Sequence, residues 1–256
     1  MKKTFKNLSL AVLFMSGFSF AQTAPSDFEN VGKQHNIMMD VLYKNFNDKH
    51  VTSNIGNEVK TVSIDYINKF MTDYSEEDRK LAVKFVTDYV NSPVFYEGKL
   101  YSASLEKELS TATKHYLDEL NNIINDESLD SGQFETKVKS LEKEIVNAKL
   151  SPKEETILFS ATNTALYSHS YWATNYSKWK ALDLAKNGST TMKTGPGPRI
   201  VGMDVAGGVG AAAGTWAVNV IPGGGQVAYG TAIVGGAVAG SVGQAVYELG
   251  SYFGVW

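Results

Sequence analysis

Apolar residues recur at three- and four-residue spacing through most of residues 27–187, the signature of helices with one buried face. Over 27–46 the stripe is Phe28, Val31, Met38, Val41, Leu42 and Phe46. A second helix is predicted over 63–74, with Ile64, Ile67, Phe70 and Met71 inward. Ser75, followed by Glu76, Glu77 and Asp78, reads as an N-cap with acids in the first turn. The helix it opens carries Leu81, Phe85, Val86 and Tyr89 and closes before Pro93. A fourth helix is predicted over 104–125, burying Leu105, Leu109, Ala112, Tyr116, Leu120 and Ile123. A fifth starts near Ser131 and buries Phe134, Val138, Leu141 and Ile145. The sixth has the strongest start signal, with Ser151 as cap, Pro152 at the first helical position and Glu154 placed to close a capping box. It runs to about residue 186, where Gly188 stops it. No segment alternates as a strand would, so residues 25–187 are expected to form an all-α bundle of about six helices.

The pattern then changes. Residues 188–199 hold Gly188, Gly195, Pro196, Gly197 and Pro198 and read as a linker. Residues 200–256 carry fifteen of the 23 glycines and two charged side chains, Asp204 and Glu248. Two weakly polar stretches, 200–221 and 226–247, flank a turn at Pro222, Gly223, Gly224 and Gly225. In the first, Gly202, Ala206, Gly210 and Gly214 recur every fourth residue; in the second, Ala228, Ala232, Gly236 and Gly240 do. On a helix that spacing gathers small residues on one face and lets another backbone approach closely. A helical hairpin with its small faces together is the expected structure, each arm about 33 Å long and close to the thickness of a bilayer core. A strand reading, with Val201, Met203, Val205 and Val209 on one face, is disfavoured by the alanine content and arm length. Glycines in mid-helix cost about 1 kcal/mol each relative to alanine, so the segment must pack, in lipid or against protein. Tyr247, Tyr252, Phe253 and Trp256, at the end of the second arm, fit an interfacial anchor.

The runs from Ala206 to Gly214 (AGGVGAAAG) and Gly235 to Gly243 (GGAVAGSVG) resemble the glycine-zipper segments of bacteriocins, pore-forming peptides and bacterial envelope proteins. Residues 32–40, GKQHNIMMD, look like the Gly-x-x-His-Asn opening of uncharacterised exported proteins of the Bacteroidota. The first resemblance implies membrane association or self-association through the tail. The second implies export and no activity.

Export has its own signal. Lys2, Lys3 and Lys6 precede an apolar run from Leu8 to Phe20, and Ser19 and Ala21 supply small residues for cleavage, so residues 1–21 read as a signal peptide. The apolar run falls short of the roughly 20 residues that span a bilayer. Without residues 1–21 the chain holds 21 basic and 27 acidic residues, a net charge of −6, which argues against a nucleic-acid partner. There is no cysteine, so disulfides and thiolate metal sites are excluded and stability rests on packing.

Candidate chemistry is sparse. His35 and Asn36 form the most suggestive polar pair, but His35 and Asp40 diverge on a helix and do not share a metal-binding face. A histidine at the core edge, bonded to a neighbouring helix, is the expected reading. His50, His115 and His169 lack metal-ligand spacing, and no serine-nucleophile elbow or phosphate loop occurs. Glu106, Glu108, Asp118, Glu119, Glu142 and Glu144 read as solvated helix faces. Tyr167, Tyr171, Trp172, Tyr176 and Trp179 read as bundle core rather than a membrane belt. The chain is therefore expected to be a non-enzymatic exported protein without catalytic, cofactor or metal site and with no identifiable small-molecule ligand. Its hairpin would associate with membrane as an anchor or toxin-like element; the alternative is a soluble binding or structural module with the hairpin packed on its own bundle.

Overall fold

Reciprocal caps set two helix starts. Asp130 accepts a hydrogen bond from the Gln133 backbone N–H at 2.8 Å, and the Gln133 side chain accepts one from the Asp130 N–H at 3.0 Å. Ser151 and Glu154 pair in the same way, with the Ser151 N–H donating to Glu154 at 2.8 Å. Each such cap satisfies donors that the first helical turn leaves unpaired and contributes about 1 kcal/mol.

The computed structural model describes residues 24–49, 55–70, 76–91, 98–187 and 198–218. Among these residues the regular elements are helices, and no strand occurs. A single 3-10 turn, Pro25–Phe28, leads into α1, Glu29–Lys49. Then come α2, Ile55–Phe70; α3, Glu76–Asn91; and the short α4, Ala103–Glu106. The remaining helices are α5, Thr111–Ile124; α6, Ser131–Asn147; α7, Pro152–Asn187; and α8, Pro198–Val218. The expected signal peptide 1–21, residues 188–197 of the expected linker and the residues beyond 218 lie outside the described residues. So do Ala228, Ala232, Gly236, Gly240, Tyr247, Tyr252, Phe253 and Trp256.

Three boundaries differ from the periodicity reading, one being that Pro198 and Arg199, expected in the linker, open α8 with proline in its first turn. α2 begins eight residues earlier than expected, at Ile55 instead of residue 63, because Val59 and Val62 extend its buried face. The helix expected over 104–125 is interrupted. Ser110 caps a fresh start, its Oγ accepting from the Thr113 N–H at 3.0 Å, and Leu109 is buried at the break. The restart shifts the helical phase, so Thr113, Leu117, Leu120 and Ile124 face inward, while Ala112, Tyr116 and Ile123 are only half-buried.

α7 is the spine of the bundle, packed against α1, α5, α6 and α8. Every residue from Glu155 to Ala165 is buried, which explains why this stretch shows no one-sided apolar stripe. Further along it, Tyr171, Trp172, Tyr176 and Trp179 are core residues. Trp179 packs edge-on against Tyr43 and Phe46 of α1. α1 approaches α7 closely at Gly32, where a Cβ would fall 2.2 Å from the Tyr167 ring.

The first glycine-rich stretch is a core helix here. From Ile200 to Ala213 all residues of α8 are buried except Gly210, which is half-buried. Gly202 and Ala206 are among the buried ones, and Gly214 lies in the same helix. Among the described residues no helix is long and apolar enough to cross a membrane.

Candidate functional site

Serine and tryptophan four residues apart on a helix share a face, and Ser168 and Trp172 of α7 point it at α8. Asp204, the one acid in α8, meets them there, fully buried. Its Oδ2 accepts hydrogen bonds from Ser168 Oγ at 2.6 Å and Trp172 Nε1 at 3.0 Å. A third partner arrives from α1, where His35 Nε2 stands 3.0 Å from the same oxygen. The other ring nitrogen, Nδ1, lies 2.8 Å from Asn36 Oδ1. Both imidazole nitrogens thus face oxygens, the pattern that suits a doubly donating imidazolium. Asp204 Oδ1 is buried and has no hydrogen-bond partner among the described residues.

Around this contact the aromatic rings form a wall. Tyr171 lies edge-on to both His35 and Trp172. Its hydroxyl donates to Asp40 at 3.2 Å and accepts from Trp179 Nε1 at 3.1 Å. Burial, together with the nearby Asp40 carboxylate, pushes the Tyr171 hydroxyl pKa well above the ordinary phenol value.

Serine, histidine and aspartate are the residue types of a hydrolytic triad, yet the connectivity is different. In a triad the serine hydroxyl bonds to the imidazole, which serves as its base. Here Ser168 and His35 both bond to one carboxylate oxygen, and His35, Ser168 and Asp204 are all fully buried. The serine donates to the carboxylate and not to the imidazole, and it is buried. What the arrangement does is join three helices, α1, α7 and α8, at one buried carboxylate.

The His35 pKa reflects that contact. Burial works against the charged ring, but the Asp204 carboxylate, with the hydrogen bonds the ring makes to Asp204 and Asn36, outweighs it and raises the pKa above the ordinary value. A raised folded-state pKa adds stability in full below the unfolded value of about 6.5, and that contribution is lost as pH rises through the folded pKa. His169 behaves oppositely. Burial lowers its pKa, so its contribution is present above the unfolded value and lost on acidification. The expected result is that urea denaturation of wild type and His35→Gln gives a stability gap that is widest in mild acid and narrows through neutral and alkaline pH. Parallel curves would show that His35 carries no charge in the folded protein.

The other sequence candidates have separate surroundings. His115 is exposed on α5 beside Glu119, at 3.4 Å. His169 stacks on Phe134, ring centroids 4.1 Å apart, at the wall of a cleft of about 580 Å³ lined by α6, α7 and Glu29 of α1. His50 lies outside the described residues. The expectation for Glu142 needs correction. It is buried, not solvated, accepting hydrogen bonds from Thr162 Oγ1 at 2.9 Å and Lys139 Nζ at 3.0 Å. Those two partners, one a lysine one turn back, compensate its burial.

Periodicity alone missed the roles of Asp204, Ser168 and Trp172. The available signal was Asp204 itself, the one charge across residues 200–247, which any packed form of that segment must neutralise. No protein-family profile, curated protein or solved structure matches this chain.

Proposed function

We propose that this is a non-enzymatic exported protein, a helical binding or structural module that uses the first arm of its glycine-rich segment as a core helix. The observation that carries the reading is the burial of α8 from Ile200 to Ala213, with its one acid matched to His35, Ser168 and Trp172. Glycine supports this packing directly. A Cβ on Gly208 would lie 3.2 Å from Thr164 Oγ1, closer than most side-chain contacts permit. The mid-helix glycines weaken an isolated helix by about 1 kcal/mol each, and burial against α7 offsets that.

The rival reading places the same segment in or on a membrane, as anchor or toxin-like element. Asp204 separates the two. Asp204 is the fifth residue of the 200–221 arm, so an inserted helix would hold it near the interface, at a cost below the roughly 2.5–3.5 kcal/mol of the bilayer centre. The bundle, by contrast, supplies it with three donors. The test uses the whole mature chain, from residue 22, without detergent. It is expected to be monodisperse, to stay in buffer when mixed with phosphatidylethanolamine/phosphatidylglycerol vesicles, and to protect the amides of 200–213 from hydrogen exchange. Flotation with the vesicles and loss of that protection would overturn the proposal in favour of membrane association.

A further inference from the structure

We infer that the cleft lined by α6, α7 and Glu29 of α1 binds a small organic cation, an ammonium group carried on a compact apolar body. Such a site would supply the binding module with its ligand, and it rests on that reading of the chain. α7 divides its length between two faces. Thr164, Ser168 and Trp172 turn toward α8, whereas Asn163, Leu166, Tyr167, Ser170 and Thr174, spaced as a second helical stripe, line the cleft. α6 supplies Ser131, Phe134, Glu135 and Lys139 from the other side. At about 580 Å³ the space falls within the roughly 300–1,000 Å³ of small-molecule sites.

Three acceptors among the lining residues have no donor among the described residues. Asn163 is buried, and its Nδ2 donates to the carbonyls of Pro25 and Phe159, each at 3.1 Å, which fixes the orientation of the amide. Its Oδ1 is left without a hydrogen-bond partner. A buried acceptor of this kind is costly while unpaired, and a donor entering the cleft would relieve it. Glu135 is exposed and makes no ion pair among the described residues. His169 lies flat on Phe134, with 10° between the ring planes, and its nitrogens have no hydrogen bond among the described residues. Burial lowers its pKa, so at neutral pH the ring is uncharged and keeps one nitrogen as an acceptor. The other charges are engaged. Lys139 Nζ stands 3.0 Å from the buried Glu142 carboxylate, and Glu29 is 2.9 Å from Lys33. The charge left over is therefore the negative one of Glu135, which favours a cationic donor over an anion. Leu166, Ala173 and the Tyr167 ring offer the apolar body a surface, and an aromatic face also attracts a cation.

The test is an NMR titration of the histidine ring signals of the whole chain from residue 22, at neutral pH, with His169→Gln assigning the His169 peak by its loss. Benzylamine, benzyl alcohol and benzoate are the probes, one body carrying a cation, a neutral group and an anion. Benzylamine is expected to shift the His169 signal and saturate. The alcohol is expected to bind about fivefold more weakly, the upper end for one exposed charge pair, and benzoate more weakly still. Glu135→Gln is expected to bring benzylamine down to the level of the alcohol. Ala173→Trp, which fills the cleft from an exposed position on α7, is expected to abolish the shift. Absence of a saturating benzylamine shift, equal affinity for the alcohol or for benzoate, or a shift that survives Ala173→Trp would each overturn the site. Should Ala173→Trp disturb the fold, Glu135→Gln decides alone, since that side chain is exposed and unpaired among the described residues. Failure here with the amides of 200–213 still protected from exchange would remove the cation site and leave α8 a core helix.

Discussion

Asp204→Ala is expected to lower the unfolding free energy by about 3–5 kcal/mol at neutral pH, the usual result of removing one member of a buried ion pair. Three donors lose their acceptor at once: the His35 ring, the Ser168 hydroxyl and the Trp172 indole. Each buried orphan costs about 1–3 kcal/mol, and a charged one costs more. Against a typical total of about 5–15 kcal/mol, such a loss brings the protein to the edge of folding. The penalty has a ceiling, because His35 can release its proton once the carboxylate is gone. The destabilisation should accordingly shrink as pH rises through the raised His35 pKa. A double-mutant cycle with His35→Ala, read by urea denaturation, isolates the pair. Strong non-additivity is expected, with the second substitution costing much less than it does alone. Additive losses would mean that the 3.0 Å contact does not couple the two residues in solution.

Gly32→Ala comes next in expected size. In most exposed helix positions this substitution stabilises by about 1 kcal/mol, because alanine has less backbone freedom to lose. Here the new methyl would sit 2.2 Å from Tyr167 Cδ2, 2.4 Å from Cγ and 2.7 Å from Cβ. These atoms are the root of the ring, so a swing of the side chain does not clear them and the helices must separate. Overpacking of this kind costs about 1–3 kcal/mol, which reverses the sign of the propensity gain. His35 lies one turn beyond Gly32 on α1, so the separation also lengthens its reach to Asp204. Tyr167→Ala in the same chain removes the two nearest atoms and should restore part of the loss. A fall in thermal midpoint for Gly32→Ala, partly recovered in the double variant, is the expected outcome. A rise in the single variant would show that α1 and α7 do not approach this closely.

The amino-acid pattern carried most of the local structure. Ser151, Pro152 and Glu154 mark the start of α7, and Phe134, Val138, Leu141 and Ile145 are the buried face of α6. Such features depend on residues within one or two turns of each other, and side-chain spacing encodes them directly. Tyr171, Trp172, Tyr176 and Trp179 of α7 also fall in the core, while Tyr167 is half-buried, since large rings bury more apolar area than any other side chain. Where the reading slipped, a short-range competitor was responsible. Ser110 offered the backbone a cap in the middle of a continuous apolar period, and the helix restarted there with a new phase.

The candidate site was not legible in that way. His35 and Asp204 are 169 residues apart, and Glu142 of α6 finds Thr162 on the next helix, α7. Spacing along the chain reports which face of a helix a residue occupies, but not which other helix that face meets. A glutamate amid lysines on α6 looks like any solvated acid until Thr162 is seen beside it. By itself, then, the chain determined that it forms helices, where most of them start, and that residues 200–221 need a partner to bury their glycines. Only the tertiary structure decided that α7 is that partner for α8 and that one buried carboxylate joins three helices. The physical reason is that a buried charge has no local solution. Its partners must come from elsewhere in the fold, and packing alone selects them.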